Sequence, residues 1–263
     1  MDAAGEMQKL APQERRPGVW VCPTPEAAAG EAARRLIEIH AECVAARGEF
    51  MLSLAGGNTP RALYRLLGSP DYREQIDWAH THLFWSDERP VAPDHPDSNY
   101  GMAAKELLSH VTVPEKHIHR MEADWPNLGR AAQVYEVILR NLLPLDSRGF
   151  PRLDMVLLGM GADGHTASLF PSEGNPAGTS RWVSTPMVEK LGTRRMTLTL
   201  PVLNAARHVL FLIAGADKAE ALRAVVEEIP REGGGVLPAA LVQPFAGERV
   251  FVVDAAAASR LQA

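Results

Sequence analysis

The feature that most constrains this chain is an alternation of short, almost wholly apolar runs with longer stretches of helical character. The apolar runs are Val19-Trp20-Val21, Phe50 to Ala55, His82 to Trp85, Leu153 to Leu158, Met196 to Leu200, Val209 to Ala214 and Arg249 to Val253. A run that is apolar at nearly every position, without alternation, has both faces covered, which is the pattern of a strand in a parallel sheet rather than a half-solvated hairpin. Between the runs lie helical segments: the Ala-rich stretch ending at Ala46, Pro60 to Leu67, Ser98 to His110, Leu128 to Leu143 and Asp217 to Ile229. The first opens on Thr24-Pro25-Glu26, a capping hydroxyl, a proline at the first helical position and an acid in the first turn. Strand and helix in alternation predict an α/β fold: a Rossmann-like, mostly parallel sheet with helices on both faces. The 263 residues fit one large or two small domains. The rhythm continues past the Gly233-Gly234-Gly235 loop without a linker, so a single domain over 18–263 is expected, with 1–17 a disordered polar tail.

Charge and cysteine usage exclude some classes of function. The 27 basic residues against 32 acidic ones leave a net charge of -5, without the basic surplus that nucleic-acid binding requires. A small phosphorylated ligand needs only a few local cations and stays open. Cys22 and Cys43 are too few for a disulfide framework and read as buried thiols of a cytoplasmic protein. The N-terminal stretch lacks the apolar core of a secretory signal, and no apolar run is long enough to span a bilayer. No membrane partner is expected, and the oligomeric state is left open.

In open parallel sheets ligands bind beyond the carboxyl ends of the strands, so the residues that follow each strand matter most. After the second run comes Ala55-Gly56-Gly57-Asn58-Thr59-Pro60-Arg61. Its glycines permit a sharp turn, Asn58 or Thr59 can cap the helix that follows, and the first-turn N–H groups can receive an anion; a plain capped turn is the alternative. After the third run comes Trp85-Ser86-Asp87-Glu88-Arg89-Pro90, either a salt-bridged loop or a ligand edge, and downstream Asp97-Ser98-Asn99-Tyr100 has the look of a capped helix start. After Leu158 comes Gly159-Met160-Gly161-Ala162-Asp163-Gly164, a formal match to the dinucleotide pattern G-x-G-x-x-G. That pattern needs a sizeable helix directly after it. Pro171 and the loop-forming Glu173 to Gly178 deny one, so the glycines serve a loop that presents His165, with Asp163 two residues before it. Imidazole is the side chain best suited to take a proton from water at neutral pH. Arg194, Arg195 and Lys218 flank later strands and supply candidate cations.

Taken together, Gly56 to Pro60, Asp87-Glu88-Arg89, Ser98-Asn99-Tyr100, the stretch from Gly159 to Pro171, Arg195 to Thr199 and Gly215 to Lys218 resemble the 6-phosphogluconolactonase family. The likeness covers nearly the whole chain in order and spacing, with Asn58 where many members carry serine. The resemblance implies metal-free and cofactor-free hydrolysis of 6-phospho-D-glucono-1,5-lactone to 6-phospho-D-gluconate in the pentose phosphate pathway. By the same resemblance, Gly56, Gly57, Asn58, Thr59, Arg195 and Lys218 hold the phosphate, and Arg89 meets either the phosphate or the developing carboxylate. His165 is the general base, Asp163 orients it, and Asp87 positions a sugar hydroxyl or supports the histidine. Backbone N–H groups near Gly57 or Gly161 are candidates for the oxyanion, and whether Arg194 reaches the ligand is open. The related glucosamine-6-phosphate isomerase/deaminases are the alternative. They carry a ring-opening glutamate where Phe170 stands and tend to carry tyrosine at the position of Arg89. A non-catalytic sugar-phosphate sensor is a third reading, one that has no use for His165.

Overall fold

The computed structural model describes residues 11–171, 179–228 and 236–262. The expected tail over 1–10, the loop from Glu173 to Gly178, Ile229 and the Gly233-Gly234-Gly235 loop lie outside the described residues.

A seven-stranded sheet forms the core. Its strands are β1 (Gln13–Arg16), β2 (Val19–Cys22), β3 (Phe50–Leu54), β4 (Thr81–Trp85), β6 (Met155–Leu158), β11 (His208–Ile213) and β12 (Glu248–Asp254), in the order β1-β2-β12-β11-β6-β3-β4. All neighbours pair parallel except β1 with β2. Every residue of β3, β4 and β6 is buried. Because successive side chains point to opposite faces, full burial means that both faces are covered.

Helix α1 (Pro25–Arg47) starts as its sequence dictates. The Thr24 hydroxyl accepts from the Ala27 N–H at 3.2 Å, and Pro25 fills the first turn. It stops at Gly48, whose φ of 81° suits the left-handed position that returns its N–H to the Val44 carbonyl. Its buried stripe runs through Ala28, Ala29, Ala32, Ala33 and Leu36, small side chains that let the helix lie close to the sheet. Helices α2 (Asn58–Leu67), α3 (Asn99–Ala103), α4 (Leu128–Leu142) and α5 (Ala219–Val226) complete the frame. Cys22 and Cys43 are free and buried, and burial pushes both thiols up to about 11.

Two expectations change. Gln13–Arg16, placed in a tail by sequence, is an edge strand, antiparallel to β2. Three of its four residues are exposed, so it carries no apolar signature. Met196 to Leu200, expected in the parallel sheet, gives β10 (Met196–Leu198) instead. That strand joins β5 (Asp87–Glu88) and β7 (Val183–Ser184) in a separate antiparallel sheet, order β5-β10-β7. It is as buried as a central strand, but its burial is against this second layer. Strands β8 (Met187–Val188) and β9 (Thr193–Arg194) form a hairpin just before it. Among the described residues, no helix is long and apolar enough to cross a membrane, and no group of three or more His, Cys, Asp or Glu side chains is placed to ligate a metal.

Candidate active site

The strand order sets the position of the site. From β3 the chain proceeds outward to β4, whereas from β6 it proceeds the other way to β11 and β12. The connections leaving β3 and β6 therefore diverge and open a crevice at the carboxyl ends of the strands. A cleft of about 400 Å³ occupies this point. Gly56, Gly57, Asn58 and Thr59 line it after β3, Asp87 and Arg89 after β4, Gly159, Gly161 and His165 after β6, and Lys218 after β11. Asp163 bonds to His165 from outside this wall. Arg195 is also off the wall: the antiparallel pairing of Met196 with Glu88 sets it opposite Arg89. Burial, and then the like charge of Arg89, push its guanidinium below the usual range. Arg194 is exposed on β9 and donates to the Thr185 carbonyl at 2.9 Å.

One wall of the cleft offers hydrogen-bond donors. Gly57, at φ 97° and ψ 179°, is the N-cap of α2, and no side chain caps the helix. Asn58 is therefore the first helical residue and not the cap expected from its type, because glycine takes a backbone conformation that asparagine at that position would adopt only with strain. The first-turn N–H groups of Asn58 and Thr59 have no partner within the helix, and Pro60 has none to offer. Together with the helix dipole they form an anion site. Gly56 is required for a separate reason: a Cβ there would lie 1.9 Å from Asn99 Oδ1. Asn99 in turn donates to the Asp87 carbonyl at 2.9 Å and to Asp87 Oδ1 at 3.2 Å, so the glycine turn before α2 and the Asp87 loop are fitted to each other. Lys218 reaches the cleft paired to Asp217 at 2.9 Å, and that pairing holds the Asp217 carboxyl below its usual range. Arg89 is oriented by donation to the Asp97 carbonyl at 2.5 Å.

The neighbouring Glu88 has a different task. It is 3% exposed and accepts from the N–H groups of Arg89, Asn99 and Tyr100, each at 2.8 Å, and from the Ser98 hydroxyl at 3.1 Å. Burial raises its pKa despite these donors. Glu88 and the N-cap Ser98 fix the start of α3, and neither lines the cleft.

The opposite wall presents the histidine. His165 Nδ1 lies 2.5 Å from Asp163 Oδ1. A Cβ on Gly161 would fall 2.0 Å from His165 Nδ1 and 2.6 Å from Asp163 Oδ1, so the middle glycine of the G-x-G-x-x-G match makes room for the imidazole–carboxylate pair. The last glycine, Gly164, has φ 79° and packs where a side chain would strike Leu237 at 2.7 Å. No helix opens between Gly159 and Pro171. The loop closes on itself through Gly161 N–H to the His165 carbonyl at 2.9 Å and the Thr166 hydroxyl to the Gly159 carbonyl at 2.8 Å. Ala167, on the cleft wall, takes a φ of 47°, left-handed backbone that is costly for a residue with a Cβ.

Three further contacts set the histidine. Phe170 stacks on its ring with centroids 4.3 Å apart. Ser168 donates to Asp87 Oδ2 at 2.7 Å, which ties the histidine loop to β5. Lys190 Nζ bonds to Asp163 Oδ2. Burial works against the Asp163 carboxylate, but Lys190 and His165 outweigh it and hold the group well below the usual range. The sequence reading missed Lys190 and Ser168. Lys190 is distant in sequence and within no motif, while Ser168 lies inside the stretch from Gly159 to Pro171 without a partner to mark it.

Residues 23–251 match the family described as glucosamine-6-phosphate isomerases/6-phosphogluconolactonase. This chain belongs to that family. Within it, a 6-phosphogluconolactonase of Synechocystis sp. is 40% identical over 221 residues, covering 84% of this chain and 88% of its own length. The solved 6-phosphogluconolactonase of Trypanosoma brucei superposes with a TM-score of 0.82 at 28% identity, over 94% of this chain and 99% of that one. A monomeric glucosamine-6-phosphate deaminase, 21% identical, shares the fold with a TM-score of 0.74, over 92% of this chain and 99% of its own. Both branches of the family thus use this sheet, and side chains in the cleft must separate them. Where the sequence reading places the deaminases' ring-opening glutamate, this chain packs the buried ring of Phe170 against His165.

Proposed function

We propose that this protein hydrolyses 6-phospho-D-glucono-1,5-lactone to 6-phospho-D-gluconate, a step of the pentose phosphate pathway. One observation carries the reading: an imidazole bonded through Nδ1 to a carboxylate shares a cleft with an uncapped helix N-terminus. The Synechocystis and Trypanosoma relatives, both 6-phosphogluconolactonases, support it.

In this mechanism His165 donates a hydrogen bond from Nδ1–H to the Asp163 carboxylate and keeps the Nε2 lone pair for water. The water oxygen adds to the lactone carbonyl carbon while its proton passes to Nε2. The tetrahedral oxyanion then collapses, the bond from that carbon to the ring oxygen breaks, and the imidazolium returns the proton to the departing oxygen. The product is a free hydroxyl and a carboxylic acid, which gives up the second water proton to solvent and leaves as the carboxylate. Positioned proton transfer of this kind contributes about 10²–10⁴-fold. The 6-phosphate rests on the N–H groups of Asn58 and Thr59 and on Lys218, so binding energy far from the reacting bond orients the carbonyl. Gly161 N–H is committed to the His165 carbonyl and does not serve the oxyanion. Arg89 serves the phosphate or the new carboxylate. Asp87, bonded to Ser168, supports the histidine loop from below. Ring opening of an amino sugar needs a titratable group to move the ring oxygen's proton, and Phe170 supplies none.

A net charge of -5 lacks the basic surplus that nucleic-acid binding requires, and the ligand in this reading is a small phosphorylated lactone. The test follows acid release from freshly prepared lactone, and separately turnover of glucosamine 6-phosphate. The expected result is rapid release with the lactone only, lost in His165→Ala. Turnover of glucosamine 6-phosphate, or lactone hydrolysis by His165→Ala at the parent rate, contradicts the reading.

A further inference from the structure

We propose that Lys190 is a positioning residue of this hydrolysis: its ammonium, delivered by the turn between β8 and β9, locks the Asp163 carboxylate and thereby fixes the orientation and protonation of His165. The inference rests on the lactonase reading and adds to it a residue from a separate part of the chain. Lys190 lies in the turn Glu189–Leu191, which closes on Gly192 at φ 60°.

Three contacts carry the proposal. Both oxygens of Asp163 are occupied: Oδ1 faces His165 Nδ1 at 2.5 Å and the His165 N–H at 3.2 Å, and Oδ2 takes Lys190. A carboxylate held at both oxygens cannot turn away from the imidazole. Lys190 Nζ also stands 4.9 Å from the centre of the Phe170 ring, which stacks on His165 at 4.3 Å. The ammonium therefore confronts the imidazole along two routes, through the carboxylate and across the ring. The Lys190 side chain is 52% exposed, and a half-exposed ion pair contributes little to folding. Holding a long, flexible side chain on this one carboxylate is better accounted for by what the carboxylate does.

The charge balance explains the use. A lone carboxylate beside an imidazole strongly favours the imidazolium, which would leave the base protonated and slow to return its proton. Lys190 offsets part of that negative charge while the hydrogen bond to His165 persists. The other charged groups around the cleft are Asp87, Arg89 and the Lys218–Asp217 pair. Asp87 is bonded to Ser168 and Asn99, and Arg89 to a carbonyl; the hydrogen bonds of the Asp163 carboxylate come from His165 and Lys190.

The experiment compares the parent protein, Lys190→Met and Lys190→Arg by two readouts. The first, without substrate, is an NMR titration of the His165 ring nitrogens. In Lys190→Met the midpoint is expected to move to higher pH, and in Lys190→Arg to move back. The second is lactone hydrolysis across pH. In Lys190→Met, kcat falls about tenfold to a hundredfold by loss of orientation, the acidic limb moves up and KM changes little. An unmoved His165 midpoint overturns the proposal. So does a rise in KM alone, which would make Lys190 a substrate contact. If the midpoint moves as expected but even the parent protein releases no acid from lactone, the lactonase reading fails and the Lys190–Asp163–His165 linkage stands.

Discussion

The molecule holds its histidines in two contrasting settings. In the cleft, His165 meets a carboxylate at Nδ1 and an aromatic ring at one face, and its side chain lines the cleft wall. Beside β4, three histidines meet one another. His82 and His117 stack with centroids 3.8 Å apart, and His82 Nδ1 lies 3.0 Å from His119 Nε2. The charged or titratable groups around that trio are Glu49, Lys116 and His80. Burial, and then the two neighbouring imidazoles, push His119 down to about 4; burial also lowers His82 and His117. His165 keeps its carboxylate at hydrogen-bond distance at the edge of a cleft, whereas burial lowers the trio even though Glu49 stands 3.5 Å from His82 Nε2.

That contrast can be broken most sharply at the cleft. His165→Ala is expected to lower kcat by about 10²–10⁴-fold with little change in melting temperature, since the side chain is part-exposed at the cleft wall. A parent-like kcat would erase the distinction. Next in size, Gly161→Ala drives a methyl into the imidazole–carboxylate pair. Displacement of the base by about 1 Å costs on the order of 10²-fold in kcat, and an unchanged rate would mean the pair is not held as described. Lys218→Met tests the far wall. Loss of one charge-assisted contact to phosphate, about 1.5–3 kcal/mol, should raise KM by roughly tenfold to a hundredfold and spare kcat. A fall in kcat alone would move Lys218 to the reacting end.

The smallest effect belongs to the trio and is seen in stability rather than rate. The unfolded chain takes up protons on its histidines near pH ~6.5, and folded His119 resists until about 4. Stability is therefore fully present above pH ~6.5 and declines as the pH falls toward 4, because the unfolded state binds more protons. Denaturant melts at stepped pH should show this slope, and His119→Phe should flatten it. An equal slope in the variant would show that His119 is not its source.

The difference between these two settings was only partly present in the sequence. Nearly continuous apolar runs such as Phe50 to Leu54, interrupted by Ser53, announce central strands because burial on both faces leaves little room for polar alternation. The Gly161–Asp163–Gly164–His165 cluster could be read as a loop because Pro171 forbids the helix a nucleotide site needs. Pairings between distant segments were hidden. Gln13–Arg16 becomes a strand through its partner β2, without any pattern of its own. Met196 to Leu198 has the burial of the main sheet but pairs with β5. Lys190 gains its meaning from an aspartate 27 positions away. The histidine trio was invisible for the same reason, since His117 and His119 reach His82 through the fold.

The central claim is that one ligand spans from the start of α2 to His165. A crystal structure with bound 6-phospho-D-gluconate tests it most directly. The phosphate is expected on the Asn58 and Thr59 N–H groups and Lys218, with the carboxylate carbon next to His165 Nε2. A phosphate seated against His165, or a ligand bound outside this cleft, would contradict it.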